Sequence, residues 1–484
     1  MESERSFLTD GVKPYNILIL FGSLAYMAIT LDITGVLQAA AFWVSNKGKS
    51  NPRRLFTYFY LMLLALSIVV GNDPVILSGT AFLAYYTDAA QIDHTAWVMS
   101  EFAVANTASM VLFLGNPTNV VICEGFGVNN VAFTAYTILP FVACALASYV
   151  ILALQFWRPK YLPKEMPIKG VLDASKVFHD PKGAVVGSIL LGSCLVVIIV
   201  VSFFKVDVWK ITLPFAVAKF LFDLAWDDYR YRRKILPNYL EDEREEIKRA
   251  FSVGSITDLD QTMAANGMFG PHTAEPKSIL GMLDANNDKL PNGNGKALKE
   301  DILPTWYQIR YKAFESHFPT LAIALPRLPF ALIPFAFSQF ILIEALSHQG
   351  WIEVFSHWLM KATGGGKIHP MIWIVGVFGV ILCNIAGTNI GATILLTKIV
   401  HAAPGISPES TRAAAIALAV ASNIGAVSFT FSASLAGLLW QTILKQKGKS
   451  ISQWTFARLN FAPLVAMTLV GLGVVSAEMA VLYR

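Results

Sequence analysis

Four short polar stretches interrupt an otherwise apolar chain. They are Gly71-Asn72-Asp73-Pro74, Gly115-Asn116-Pro117-Thr118-Asn119, Asn384 through Asn389, and Asn423 with the serine-rich run Ser428 to Ser434. Asn, Ser and Thr offer hydrogen-bond donors and acceptors without charge, so inside a membrane they can replace the hydration of a small polar solute at modest cost. Gly permits local unwinding, and Pro after a break opens the next helical segment without losing a needed donor. The candidate solute-binding residues are therefore Asn72, Asp73, Asn106, Thr107, Gly115, Asn116, Pro117, Thr118, Asn119, Asn384, Thr388, Asn389, Asn423, Ser432 and Ser434. An ordinary helix end or a polar contact between helices would explain any one of these stretches equally well. Four at matched positions favour a site.

Three carboxylates are candidates for coupling to protons: Asp73, Glu101 and Glu344. A carboxylate at membrane depth is costly when ionised and can exchange a proton near neutral pH. Asp73 is the foremost of them, because it stands in a break. Glu101 follows Trp97, expected as an interfacial anchor, by about one turn, and Glu344 is expected near a membrane face. Asp32 also lies in an apolar stretch, and Arg327 is a candidate counter-ion for one of these acids. His94, His317, His348 and His357 are expected at membrane edges.

Other chemistry is poorly supported. The four cysteines, Cys123, Cys144, Cys194 and Cys383, are far apart and suggest neither a disulfide framework nor a zinc site, so no metal and no cofactor is expected. No Walker lysine motif follows a strand, which argues against an ATP-driven pump in this chain, and no HExxH pair supports a membrane enzyme. KRAFS at 248–252 has the look of a basophilic phosphorylation site.

The elements that must position these residues are membrane helices. Of 484 residues 55% are hydrophobic and 15% charged, too apolar for a soluble protein, and the net charge of +5 speaks to topology rather than to nucleic acid. An all-α polytopic membrane protein is expected. Apolar stretches fall near 15–44, 55–87, 95–125, 131–157, 184–204, 207–226, 317–346, 370–400, 411–441 and 461–482. One crossing needs about 20 residues, so the long stretches with Gly, Asn or Pro inside read as broken helices or re-entrant hairpins.

Basic residues orient the chain. Lys47, Lys49, Arg53 and Arg54, then Arg158 to Lys176, then Lys445 to Lys449 mark three cytoplasmic loops. With these fixed, 55–87 enters and leaves on the cytoplasmic side, 371–400 is a hairpin entered from outside, and the N-terminus lies outside. Asn72 and Asn389, Thr80 and Thr397, and Asn106 and Asn423 stand at one common spacing of 317, and Gly35 and Gly350 at 315. Five crossings separate the two hairpins, an odd number, so the second repeat is inverted relative to the first. The expected organisation is a polar N-terminus at 1–14, a first inverted repeat at 15–157, connecting helices at 158–226, a cytoplasmic and partly disordered linker at 227–316 with a helix near 238–252, and a second inverted repeat at 317–482. Each repeat carries a re-entrant hairpin and a broken transmembrane helix, the pattern of secondary transporters.

At these residues the chain resembles the ion transporter superfamily, in particular its arsenite permease branch, related to citrate–metal transporters and plant silicon efflux carriers. The resemblance is carried by Asn72-Asp73, by Gly115-Asn116-Pro117-Thr118-Asn119, by Asn384 with Thr388-Asn389-Ile390-Gly391-Ala392-Thr393, and by Ala421-Ser422-Asn423-Ile424-Gly425 with Ser432-Ala433-Ser434-Leu435-Ala436. Asn116 stands where that pattern usually has Asp, and Pro74 where it more often has Gly. The first stretch resembles the family helix just before the hairpin, so one or two N-terminal helices are expected to be missing. The resemblance implies a homodimer in the plasma membrane rather than an organelle membrane, exporting a hydroxylated oxyacid such as arsenite, antimonite or silicic acid in exchange for protons. Cys383, beside Asn384, would then offer a soft ligand to trivalent arsenic. The alternatives are a sodium- or proton-coupled carboxylate carrier, a sodium–proton antiporter and a channel. The expected partners are thus a small inorganic or carboxylate solute, protons or sodium, and the lipid bilayer.

Overall fold

The computed structural model describes residues 14–48, 51–165, 172–201, 206–235, 305–328, 330 and 332–483. The linker helix expected at 238–252 and the KRAFS pattern lie outside them. Every regular element among the described residues is helical. Five helices are long and apolar enough to cross a membrane: Pro52–Val70, Asn130–Gln155, Pro181–Val201, Ile368–Ile385 and Gln453–Leu482. A sixth span forms if the pair Leu18–Ile33 and Val36–Gly48, bent by 52°, is counted as one. Leu146 and Leu154 on the 130–155 helix are 61% and 65% exposed, and Ile189 on the 181–201 helix is 61% exposed. Such faces are unfavourable in water and natural in lipid, where the backbone of each helix satisfies itself.

Sequence explains where the helices stop. Asn51 caps the Pro52–Val70 helix by accepting from the Arg53 and Arg54 amides at 3.1 and 3.2 Å, with Pro52 in the first position, where no amide is missed. That helix ends at Gly71, whose φ of 85° lies in the left-handed region open to glycine. A new helix, Asn72–Ala89, starts at once. Gly35, with φ of 91°, makes the corner between Pro14–Ile33 and Val36–Gly48, and a Cβ there would stand 1.9 Å from the Val177 carbonyl oxygen.

The same order of elements occurs twice. A long helix, a break and a shorter helix appear as 52–70 with 72–89, and again as 368–385 with Asn389–His401. A buried helix, a single 3-10 turn and a short helix follow: Thr95–Ala108, Phe113–Gly115 and Pro117–Gly125, then Pro408–Gly425, Phe431–Ala433 and Leu435–Gln446. The long helices Asn130–Gln155 and Gln453–Leu482 close the two series and pack against each other. Ahead of the first series stands the Gly35 corner, and ahead of the second Gly350 joins Leu332–His348 to Trp351–Ala362 with φ of 75°. The 95–108 and 408–425 helices are enclosed on every side, the former from Ala96 to Ala108 and the latter from Ala413 to Gly425. Helices so enclosed must be apolar or self-satisfied all round.

Between the two series lie the short Ala174–Val177 helix, Pro181–Val201, Trp209–Arg233, Thr305–His317 and Pro319–Arg327. The 209–233 helix runs past residue 227, into the segment expected as linker, for a physical reason. Asp227 and Arg230 turn inward and pair with each other; Arg230 also reaches Asp180 at 3.1 Å and Thr320 at 3.1 Å, and Asp227 accepts from the Thr320 amide at 2.9 Å. One turn earlier Lys219 pairs with Asp223, which accepts from the Tyr26 hydroxyl at 2.9 Å. Burial of these charges is tolerable because each is paired.

Candidate functional site

In the first series the Asn72 side chain, in the first turn after the Gly71 break, donates to Asn106 Oδ1 at 3.4 Å. Asn106 donates in turn to the Phe102 carbonyl at 2.8 Å. Asp73 is half-buried beside it, and no hydrogen bond or ion pair reaches its carboxylate among the described residues. Thr107 is turned into its own helix, bonding the Ala103 carbonyl at 2.7 Å, with the Met467 sulfur at 3.3 Å. Beyond Ala108 the chain folds back so closely that a Cβ on Gly115 would meet the Ser109 carbonyl oxygen at 2.2 Å. Asn116 caps the next helix by accepting from the Thr118 amide at 3.2 Å, with Pro117 after it. Asn119 reaches back and donates to the Ser109 and Leu112 carbonyls at 2.8 and 2.9 Å, satisfying acceptors that the break sets free.

The second series repeats this with different side chains. Thr388 caps the 389–401 helix through the Ile390 amide at 3.2 Å. Asn389 donates to the Ser422 carbonyl at 3.4 Å, and Asn423 to the Ala419 carbonyl at 2.9 Å. Asn384 bonds Ser428 and accepts from the Phe429 and Thr430 amides at 3.1 and 3.2 Å, which holds the 428–430 segment onto the 368–385 helix. Ser434 caps the last short helix through the Gly437 amide at 3.0 Å. Ser432 is exposed and bonds only locally, to Thr430 at 3.4 Å. Cys383 is buried under Gly425, with its thiol on the Gly379 carbonyl at 3.0 Å.

The two series meet through uncharged polar groups. Asn423 donates to Asn119 Oδ1 at 2.7 Å and accepts from the Ser109 hydroxyl at 2.9 Å, while the Ser422 hydroxyl donates to Thr118 at 3.2 Å. Asn106, Thr118, Asn119 and Asn423 are completely buried, as Asn72, Asn116, Asn389 and Ser434 nearly are. This junction joins the 95–125 and 408–446 segments, with the start of the 72–89 helix touching the first through Asn72 and the start of the 389–401 helix touching the second through Asn389. Ser109 escaped the reading of the sequence, although it stands one turn after Asn106; Ser422, beside Asn423, was noticed only as part of a motif.

The carboxylates lie elsewhere. Glu101 is fully buried, and both its oxygens accept from the Thr80 hydroxyl, at 3.0 and 2.9 Å. Trp97 is not an interfacial anchor: it is 2% exposed and packs edge-on against Phe56 and Phe59, because the 95–108 helix is enclosed all round. Asp32 accepts from Ser78 and stands 3.6 Å from Arg327. Glu344 is engaged by Lys398 at 2.6 Å and has His348 at 3.8 Å, apart from the junction. His317 bonds Asp228 at 2.9 Å, whereas His348 and His357 face outward. The Lys219–Asp223 and Asp227–Arg230 pairs went unrecognised, although their spacing of three and four residues on one helix was the available signal. Among the described residues no group of three or more His, Cys, Asp and Glu is placed to hold a metal ion.

Several apolar spans folded around a buried junction of amides and hydroxyls describe a multi-pass integral membrane protein built as transporters are. Residues 12–232 carry a domain that matches the family described as citrate transporter. The arsenical pump membrane protein of Escherichia coli is 26% identical over 200 residues, and that of Yersinia enterocolitica 25% over 202 residues. Each of these matches covers 40% of this chain and 44% of the relative, so the matched stretch spans less than half the length of those proteins. An uncharacterized transporter of Mycobacterium tuberculosis is 22% identical over 134 residues, covering 28% of this chain and 31% of its own. These matches point to a membrane transporter rather than an enzyme.

Proposed function

We propose that this protein is a secondary-active transporter that moves a small hydroxylated oxyacid, such as arsenite, antimonite or silicic acid, in exchange for protons. The observation that carries the reading is the junction at Asn119, Asn423, Ser109, Thr118 and Ser422, buried and uncharged, with both broken helices contributing. Neutral trihydroxy and tetrahydroxy species present both donors and acceptors, which such groups match without the cost of burying a counter-charge. The relatives named as arsenical pump membrane proteins support this choice of solute. Two inverted repeats, each with a re-entrant hairpin, are the organisation we infer. The repeated order of helix, break, helix, helix, 3-10 turn and helix supports it, as do the breaks at matched spacing. Asp73 is the proposed proton carrier, since its carboxylate stands in a hairpin turn with no partner holding it among the described residues; Glu101 is the second candidate.

A carboxylate carrier is the rival reading, and the citrate transporter match over residues 12–232 favours it. Such a carrier calls for a cation or several free helix N-termini at the anion. Arg327, the candidate counter-ion, stands beside Asp32 and away from the junction.

The test is flux in liposomes reconstituted with the purified protein, with and without an imposed pH gradient, for wild type and Asp73→Asn. Accumulation of arsenite driven by protons and lost in Asp73→Asn is the expected result. Flux indifferent to the gradient would make the protein a channel. Sodium-dependent movement of citrate or succinate without arsenite flux would replace the oxyacid reading by the carboxylate one.

A further inference from the structure

A cavity of about 540 Å³ lies between the 117–125 helix, the start of the 130–155 helix and the 408–425 helix, and none of the candidate solute-binding residues lines it. Of the residues that line it, Arg412 is exposed and Phe126, Tyr136 and Thr411 are half-buried, whereas Ile122 and Ala419 are buried and mark its inner end. On the same two helices, one turn further in, stand Thr118 with Ser422 and Asn119 with Asn423, the contacts of the polar junction. One turn is about 5.4 Å, so the cavity stops just short of the junction and points at it. Thr137, another lining residue, bonds the Val111 carbonyl at 3.4 Å and so ties the wall to the break between residues 109 and 116. Arg412 is the one charged side chain among the lining residues, held at the rim by the Tyr483 hydroxyl at 2.8 Å.

We propose that this cavity is the route by which solute reaches the junction from the membrane face that carries residues 126–129 and 402–407, with Arg412 setting the charge that enters. The proposal builds on the transporter reading and adds to it a side of entry and an entrance residue. Three observations agree on it. The cavity is walled by both broken helices, so their separation would deepen it directly into the junction. Its buried end is lined by Ile122 and Ala419, and one turn beyond them the two helices meet through single hydrogen bonds, Thr118 to Ser422 and Asn119 to Asn423. A cation at the mouth of a low-dielectric passage raises the local concentration of anions and lowers that of cations.

The experiment places a cysteine at the inner end, Ala419→Cys, in a chain whose Cys123, beside the lining residue Ile122, is replaced by Ala; the remaining cysteines are buried and the unsubstituted parent controls for them. Membrane-impermeant methanethiosulfonates, one anionic and one cationic, are added to either face of sealed vesicles of known orientation. The expected result is modification of Ala419→Cys from the face of residues 126–129 only, slowed when Thr411→Trp fills the passage. The anionic reagent is expected to react faster, and Arg412→Gln to lower its advantage by up to about tenfold. Modification from the opposite face, or at a rate that Thr411→Trp leaves unchanged, overturns the route. An unchanged ratio of the two reagents in Arg412→Gln overturns the role of Arg412. Because labelling needs no solute, a labelled route in vesicles that move neither arsenite nor citrate keeps this proposal and removes the transport one.

Discussion

The 72–89 and 389–401 helices, each following a break, have the same backbone plan and different chemistry. In the first, Asp73 follows Asn72, and Thr80 donates to the buried Glu101. In the second, at the same spacing, the positions are taken by Ile390, Thr397 and Leu418, all buried. The Thr397 hydroxyl has kept its place but has no hydrogen-bond partner among the described residues. Asn106 and Asn423 differ as well: both bond the carbonyl one turn back, but Asn106 meets one side chain at 3.4 Å, whereas Asn423 meets two at 2.7 and 2.9 Å. At these matched positions the carboxylates thus sit in the first half and the densest neutral contacts at the start of the second break, while the buried Lys398 of the second half is paired with Glu344. Division of labour follows on our reading, with proton handling in one half and the grip on the joint between halves in the other.

The largest effect should separate the two asparagines. Asn423→Ala leaves the Asn119 amide oxygen buried without its donor and the Ser109 hydroxyl with only the Asn106 carbonyl, which should cost about 2–3 kcal/mol. Asn106→Ala removes the long Asn72 bond and the bond to the Phe102 carbonyl, as Asn423→Ala removes its own to the Ala419 carbonyl, and should cost about 1 kcal/mol. Thermal unfolding of the purified proteins in one detergent reads the order directly. Equal midpoints for the two variants would mean that the junction between halves is no tighter than the contacts within one.

Next in size are the two corner glycines. Gly35→Ala meets both a left-handed φ and a Cβ placed 1.9 Å from the Val177 carbonyl, so a loss above about 2 kcal/mol is expected, since the left-handed conformation alone costs about 1–2 kcal/mol. Gly350→Ala meets the φ alone, as its nearest neighbour would be Glu353 Oε2 at 4.0 Å, and a loss of about 1 kcal/mol should follow. The same unfolding assay checks this, and a Gly350 variant as damaged as the Gly35 one would show that the second corner is packed more closely than its surroundings indicate.

Much of this comparison could be read from the sequence, and the reason is local. Gly, Asn and Pro inside an apolar run change backbone preference on their own, so the breaks at Gly71, at 109–116, at 386–388 and at 426–434 were visible before any packing was known. Capping roles at Asn116 and Ser434 follow from the same logic. What depends on neighbours in space was not legible. Trp97 looked interfacial because tryptophan favours that depth, but six other helices pack against its own. Ser109 is an unremarkable hydroxyl until the 408–425 helix brings Asn423 to it. The charges of the 209–233 helix looked like a departure from the membrane, since only Tyr26, Asp180 and Thr320 from distant segments make their burial possible.

The smallest expected effect is the most discriminating, because it compares one residue type at two matched positions. Thr80→Val keeps shape and removes the hydroxyl that donates to both oxygens of Glu101, leaving a fully buried carboxyl short of its donor. A loss of about 1–2 kcal/mol is expected. Thr397→Val removes a buried hydroxyl that bonds nothing among the described residues, and trading such a group for a methyl is neutral or mildly stabilising. The two variants should therefore shift the unfolding midpoint in different directions or by clearly different amounts. If Thr397→Val is instead as costly as Thr80→Val, its hydroxyl has a partner in the working protein, and the 389–401 helix holds a polar contact that makes the halves more alike than their side chains suggest. If both are neutral, Glu101 does not need the Thr80 donor, and the case for it as a proton carrier loses the contact that joins it to the 72–89 helix.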